Sequence, residues 1–154
     1  LTKIQCPTAP TLYGAMLAGV QWVFMGAGIP RHVPNMLAKL AKHEPVLQPL
    51  DVVGAREPIL LAFDPELVGP RPPAGLLVPR FVPIVSSHSL AVMMARKAQG
   101  PIAGFIVERP SAGGHNAPPR AAQANAGEAE PVYGPRDEVD FAVLRDLGLP
   151  FWIA

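Results

Sequence analysis

The chain has 154 residues, with 13 lysines and arginines against 12 aspartates and glutamates, and 49% of its residues are hydrophobic. This length fits one domain with a sizeable core, and the apolar content is that of a globular rather than a disordered protein. The near balance of charge provides no electrostatic footprint for nucleic acid or for an anionic membrane surface, so neither partner is predicted.

The cysteine content and the two ends of the chain bear on its setting. Cys6 is the single cysteine, and the sequence holds neither a charged-then-apolar leader nor a long apolar span. These features predict a reducing, cytoplasmic setting. Because the chain begins at Leu1 and stops inside the apolar run 151–154, we expect it to be an internal piece of a longer protein.

The first third of the chain predicts a βα unit. Residues 11–20 carry apolar side chains at helical spacing and end near Gly19, which favours a short helix. Residues 21–25 form a compact run rich in aromatic and β-branched side chains and precede the glycine-rich residues 26–28, which is typical of a buried strand that ends in a glycine turn. A second helical period follows over residues 33–43.

Residues 44–80 interrupt this alternation. Two short apolar runs, 46–50 and 59–63, are predicted to be the strands of a hairpin, and proline-rich residues 69–73 are predicted to be loop. We therefore expect residues 44–80 to be an insertion.

Alternation resumes after the insertion. A strand over 81–85 precedes a helix over 89–99 that Ser89 is predicted to cap, and a strand over 104–108 precedes the long loop 109–135. The last helix is predicted over residues 136–147, with Pro135 or Asp137 at its start and Gly148 at its end. Another strand begins at Leu149.

Strands that alternate with helices predict an α/β fold with a parallel sheet whose strands are buried on both faces. An open doubly wound sheet and an incomplete (β/α)₈ barrel share this alternation, and both bind ligands at the C-terminal ends of their strands. Three polar or glycine-rich segments fall at such ends, namely residues 26–28, 86–87 and 108–115. We expect them to build one ligand site.

The run Ala112-Gly113-Gly114-His115 is the centre of this expectation. Gly113 and Gly114 allow unusual backbone angles and bring no side chain, so a flat or phosphorylated ligand could approach the backbone closely beside His115. The alternative is a glycine turn followed by a solvated histidine. His32, His43 and His88 have no spacing typical of a metal site and are predicted to be surface or cap residues, so no metal is expected.

Four segments, 25–30, 84–87, 112–115 and 149–154, resemble the nitronate monooxygenase family, also called 2-nitropropane dioxygenases, which is similar to the flavin-dependent enoyl-acyl-carrier-protein reductases. The resemblance implies an oxidoreductase that binds flavin mononucleotide (FMN) on a (β/α)₈ TIM barrel. This chain would supply about the middle half of that barrel and would be inactive in isolation. Residues 109–135 would form a long active-site loop.

The resemblance also implies roles for individual residues. His115 would act as the catalytic base or orient the substrate near the reactive edge of the flavin, with a nitronate or nitroalkane and dioxygen as substrates. An imidazole titrates near neutrality, so it can accept a proton from the carbon next to a nitro group or hydrogen-bond the nitronate oxygens. The flavin contacts implied are Gly26, Ala27, Ser86, Ser87, Glu108, Ala112, Gly113 and Gly114.

Two departures from the family concern the substrate. Arg109 stands where the family usually has glycine, and the segment 44–80 has no counterpart in its shorter members. One alternative function is a flavin-dependent enoyl-acyl-carrier-protein reductase. Another is a non-catalytic barrel fragment or pseudoenzyme that associates with another chain through apolar strand edges at Trp22 and residues 151–153; whether the protein forms an oligomer is left open.

Overall fold

The computed structural model describes residues 8–26, 28–50, 52–57, 59–113, 117, 119 and 133–154. In chain order its helices and strands are α1 (Thr8–Leu17), β1 (Trp22–Met25), α2 (Val33–Ala41), β2 (Val46–Leu50), β3 (Ile59–Phe63), β4 (Arg80–Val85), α3 (His88–Lys97), β5 (Phe105–Val107), α4 (Phe141–Asp146) and β6 (Phe151–Ile153). Short 3₁₀ turns at Pro65–Leu67 and Pro135–Asp137 precede β4 and α4.

A parallel sheet organises the chain. Its four strands lie in the order β1-β4-β5-β6, so the predicted α/β alternation with parallel pairing is confirmed. Backbone hydrogen bonds from Glu108 N to Val85 O and from Ala154 N to Val107 O, each 2.9 Å, extend the ladder one residue beyond β5 and β6. The C-terminal ends of neighbouring strands therefore share one edge of the sheet.

The core lies on one face of this sheet. Alternate strand residues point into it, and every helix of the described chain contributes to the same cluster. Its fully buried members include Leu12 of α1, Leu37 and Leu40 of α2, Met94 of α3, Leu144 of α4, and Phe81, Phe105 and Val107 of the sheet. Burying an apolar side chain of this size contributes about 1.5–3 kcal/mol, which is what holds the helices against the strands.

The opposite face is not covered by any described helix. We call it the bare face; its residues are Trp22, Phe24, Arg80, Val82, Ile84, Ile106 and Trp152. Trp22, Phe24 and Trp152 are 37%, 46% and 48% exposed. The expectation that the strands are buried on both faces is therefore wrong for β1 and β6, because the helices that follow the strands all pack on the other side.

The boundaries of α1 and α3 differ from the predicted ones. α1 spans Thr8–Leu17 rather than residues 11–20, with Gly19 at a φ of 75° just after it. α3 is capped by Ser87, not by Ser89: the Ser87 backbone is extended, and its Oγ accepts a hydrogen bond from Leu90 N at 3.2 Å. Satisfying a free N–H of the first turn is what begins the helix there.

The predicted helix over residues 136–147 is shorter in the structure. Asp137 accepts a hydrogen bond from Gly134 N at 2.9 Å, which closes a 3₁₀ turn instead of starting the α-helix. Asp140 begins α4, because its carboxylate accepts from the N–H groups of Ala142 and Val143. Gly148, at a φ of 66°, follows the helix as predicted.

The hairpin predicted within residues 44–80 is confirmed with its predicted bounds. β2 and β3 pair antiparallel, with Val46 opposite Phe63 and Leu50 opposite Ile59. Val46 joins the main core, so the hairpin packs beside α2 and away from the parallel sheet. Within the described residues, no helix has both the length and the apolar character needed to cross a bilayer.

Candidate functional site

Three of the predicted site residues meet at one edge of the sheet. Gly26 follows β1, Ser86 follows β4 and Glu108 follows β5, and these strands are parallel neighbours. The approach is close: a Cβ added to Gly26 would lie 2.9 Å from the Cβ of Ile84. The structure therefore brings these tips together at the C-terminal edge, as the sequence predicts.

These residues also share a face. Side chains alternate along a strand, so Gly26 continues the series of Trp22 and Phe24, and Glu108 continues that of Ile106. Ser86 lies beside Glu108 in the same register. All three positions therefore stand where the bare face reaches the C-terminal edge.

Ser86 and Ser87 separate into different environments. Ser86 is half-buried at the edge of the bare face, whereas Ser87 is 3% exposed and lies on the helix side. The Ser87 hydroxyl accepts from Leu90 N, so its oxygen already serves as the cap of α3. The structure thus gives Ser87 a structural role, and its contact with a cofactor stays a prediction.

The described parts of the long loop fold back onto the end of β5. The Oε2 atom of half-buried Glu108 accepts a hydrogen bond from Ala117 N at 3.3 Å, and Tyr133 Oη donates to Ala117 O at 3.0 Å. Ala117 is therefore held from both sides. The sequence places Tyr133 only within the long loop 109–135, because no local pattern signals a contact between residues 16 positions apart.

The start of the loop is a tight turn that leaves space around Gly113. Ala112 N donates to Arg109 O at 2.9 Å, and a Cβ placed on Gly113 would meet no atom of the described residues within 4 Å. Gly113 does not have a positive φ, so in the structure it does not use the backbone freedom that glycine allows. Ala27, Gly114 and His115, the other predicted site residues, lie outside the described residues.

A groove of about 570 Å³ opens between the start of this loop and the segment that leads into α4. Arg109, Tyr133, Glu138 and Phe141 are among its lining residues. Its volume lies in the range of small-molecule pockets, roughly 300–1,000 Å³. Arg109 therefore places an exposed cationic side chain on the wall of a ligand-sized groove.

Aromatic side chains converge across the bare face. Trp22 stacks with Phe24 at a centroid distance of 6.3 Å, and it meets Trp152 edge-on at 6.5 Å. β1 and β6 are the two edges of the sheet, and three interstrand spacings amount to roughly 14 Å. The side chains of Trp22 and Trp152 therefore extend toward each other across the two central strands. Val82, on one of these central strands, is fully buried although no described helix covers this face.

The other histidines do not join this site. His43 is 9% exposed, and its Nδ1 lies 2.7 Å from the hydroxyl of Tyr13, so it is not a surface residue. It does belong to the C-terminal cap of α2, because it has a φ of 59° and its N–H donates to Leu40 O. His88 Nδ1 accepts from Asp140 N at 3.2 Å, which links α3 to the start of α4. Across the described ranges, no group of three His, Cys, Asp or Glu side chains is placed to hold a metal ion.

Comparison of the chain with protein-family models, curated proteins and solved structures finds no significant match.

Proposed function

We propose that this chain is part of an FMN-dependent oxidoreductase of the nitronate monooxygenase type, which oxidises alkyl nitronates or nitroalkanes with dioxygen. The observation that carries the proposal is the placement of Gly26, Ser86 and Glu108 on one face at the C-terminal edge, with the Ala112–Gly113 turn leaving β5 beside them. Parallel α/β proteins bind their ligands at that edge. A reducing, cytoplasmic setting is part of this proposal, because the chain has a single cysteine.

The finer fold assignment in this proposal is a (β/α)₈ barrel whose wall includes the four parallel strands. A doubly wound sheet carries helices on both faces, whereas the described helices lie on one. The contact between Trp22 and Trp152 across the bare face is expected for the concave, inner side of a curled sheet. The remaining strands of the barrel would then cover the aromatic side chains.

The residues at this edge fit a flavin. Gly26 brings no side chain to the rim, but the Ile84 side chain fills the space beside it, so a planar ring could approach the backbone closely only at Gly113, where a Cβ would meet no described atom within 4 Å. Ser86 offers a hydroxyl that can donate or accept, and Glu108 offers a carboxylate that accepts, and both suit the polar edge of such a ring. Ser86, Glu108 and Gly113 would hold the cofactor in this proposal.

FMN supplies the electron transfer to dioxygen when it is bound. The protein's part is to bind and orient the substrate and to move one proton. In the proposed mechanism the neutral imidazole of His115 accepts the proton from the carbon next to the nitro group, or donates a hydrogen bond to a nitronate oxygen. Glu108 and Tyr133 hydrogen-bond the backbone of Ala117, which lies two positions after His115 in the sequence.

The test uses a longer protein that contains this chain. Bound FMN together with oxygen uptake on propionate 3-nitronate or a nitroalkane supports the proposal. NADH oxidation with an enoyl thioester, and no oxygen uptake with nitronates, would favour the enoyl reductase. Absence of bound FMN would overturn both and leave the non-catalytic alternative.

A further inference from the structure

We propose that the free edge of β3 pairs antiparallel with β3 of a second copy of this chain, so that two hairpins form one four-stranded sheet. The hairpin lies in the segment 44–80, which contributes no residue to the proposed flavin site. It does not depend on the proposed activity.

The hydrogen-bond pattern of the hairpin shows which groups face outward. Pro49 lies opposite Leu60 and has no N–H, so the ladder between the strands runs through the neighbouring pairs, such as Gln48 with Leu61. The N–H and C=O groups of Leu60 and Ala62 therefore point away from β2. Within the described residues β3 pairs with β2 alone, so these groups line an open edge.

The two edges of the hairpin differ in how they are protected. β2 carries Pro49 at an outward position, and a proline there blocks the addition of another strand. β3 reads Ile-Leu-Leu-Ala-Phe, with no proline and no charged residue. An exposed apolar edge without such protection is the kind that pairs with another strand.

The outer face of the hairpin favours a second copy as the partner. Leu47, Pro49, Leu60 and Ala62 share this face, and Leu47 and Leu60 are 61% and 52% exposed. None of the four is charged, so two copies bring no like charges together. Identical strands that pair antiparallel about a two-fold axis make the same contacts from both sides, and the assembly closes at a dimer.

Exposed apolar surface continues beside this strand. The 3₁₀ turn after β3 adds Leu67 and Val68, 86% and 59% exposed. These exposed apolar side chains adjoin the unprotected edge of β3 and would add to the interface of the proposed dimer.

Sedimentation velocity over a range of concentrations tests the inference, with Leu60→Pro and Leu47→Pro as matched variants of the 154-residue chain. Each substitution removes one outward N–H and no ladder hydrogen bond, but only Leu60 lies on the β3 edge. We expect the parent chain and Leu47→Pro to form dimers, and Leu60→Pro to raise the dissociation constant at least tenfold.

Circular dichroism establishes that each variant is folded. If either proline variant does not fold, Leu60→Lys and Leu47→Lys replace the pair, and Leu60→Lys is again expected to weaken the dimer more. A parent chain that is monomeric throughout, equal dissociation constants for the two variants, or open-ended assemblies larger than a dimer would each overturn the inference.

Discussion

Replacing Gly104 with alanine is the sharpest test of how β5 and β6 meet. Gly104 precedes β5 and has a φ of 150°, a backbone conformation that other residues rarely adopt. A Cβ there would overlap with the carbonyl oxygen of Pro150 and lie 3.0 Å from Cζ3 of Trp152. The same Pro150 oxygen accepts from Phe105 N at 3.0 Å in the first hydrogen bond between the strands.

The expected loss of stability in Gly104→Ala follows from these contacts. The strained φ costs about 1–3 kcal/mol, and losing the Phe105 hydrogen bond adds about 1 kcal/mol. We therefore expect Gly104→Ala to lower the free energy of unfolding by about 3 kcal/mol. At a urea m-value of about 2 kcal/mol/M, this shifts the unfolding midpoint down by roughly 1.5 M.

Two further glycines supply matched controls. Gly148 also has a positive φ, 66°, but a Cβ there meets no atom within 4 Å, so Gly148→Ala should cost only about 1 kcal/mol. Gly14 lies in α1 with the same open surroundings, so Gly14→Ala should stabilise by about 0.5–1 kcal/mol. Urea unfolding followed by tryptophan fluorescence measures all three. A midpoint for Gly104→Ala equal to or above that of Gly148→Ala would refute the described packing of β5 on β6.

Three other predictions concern single side chains. Ser87→Ala should lower the free energy of unfolding by about 1 kcal/mol, because α3 loses its cap. Ser86→Ala should change the free energy of unfolding by less than about 0.5 kcal/mol but weaken FMN affinity in the longer protein. A larger loss of stability for Ser86→Ala than for Ser87→Ala would contradict the environments assigned to the two serines. Tyr13→Phe should lower the free energy of unfolding by about 1–3 kcal/mol, because Nδ1 of buried His43 loses its partner and Nε2 has none in the described part of the chain. A neutral result in urea unfolding would show that this contact is not formed. His115→Ala should reduce turnover with nitronate while FMN stoichiometry is kept, and unchanged turnover would remove His115 from the mechanism.

The sequence by itself determined the order and kind of the main elements. Apolar runs of four to six residues alternate with helical periods, and this local pattern was enough to predict the parallel strands and, to the residue, the hairpin of β2 and β3. It was also enough to predict that polar and glycine-rich strand ends converge, because parallel strands place equivalent ends at one edge. Such features depend on the residues near each position in the chain.

Only the tertiary structure decided which side of the sheet the helices cover and which serine faces the bare face. Ser86 and Ser87 are the same residue type. The alternation of side chains along β4 places Ser86 at the edge of the bare face, and the start of α3 makes Ser87 the N-cap of that helix. The meeting of Gly104 with Pro150, of Tyr133 with Ala117 and of Trp22 with Trp152 likewise joins residues far apart in sequence. Periodicity describes a segment's own apolar surface, whereas these contacts depend on how separate segments pack, which no local pattern encodes.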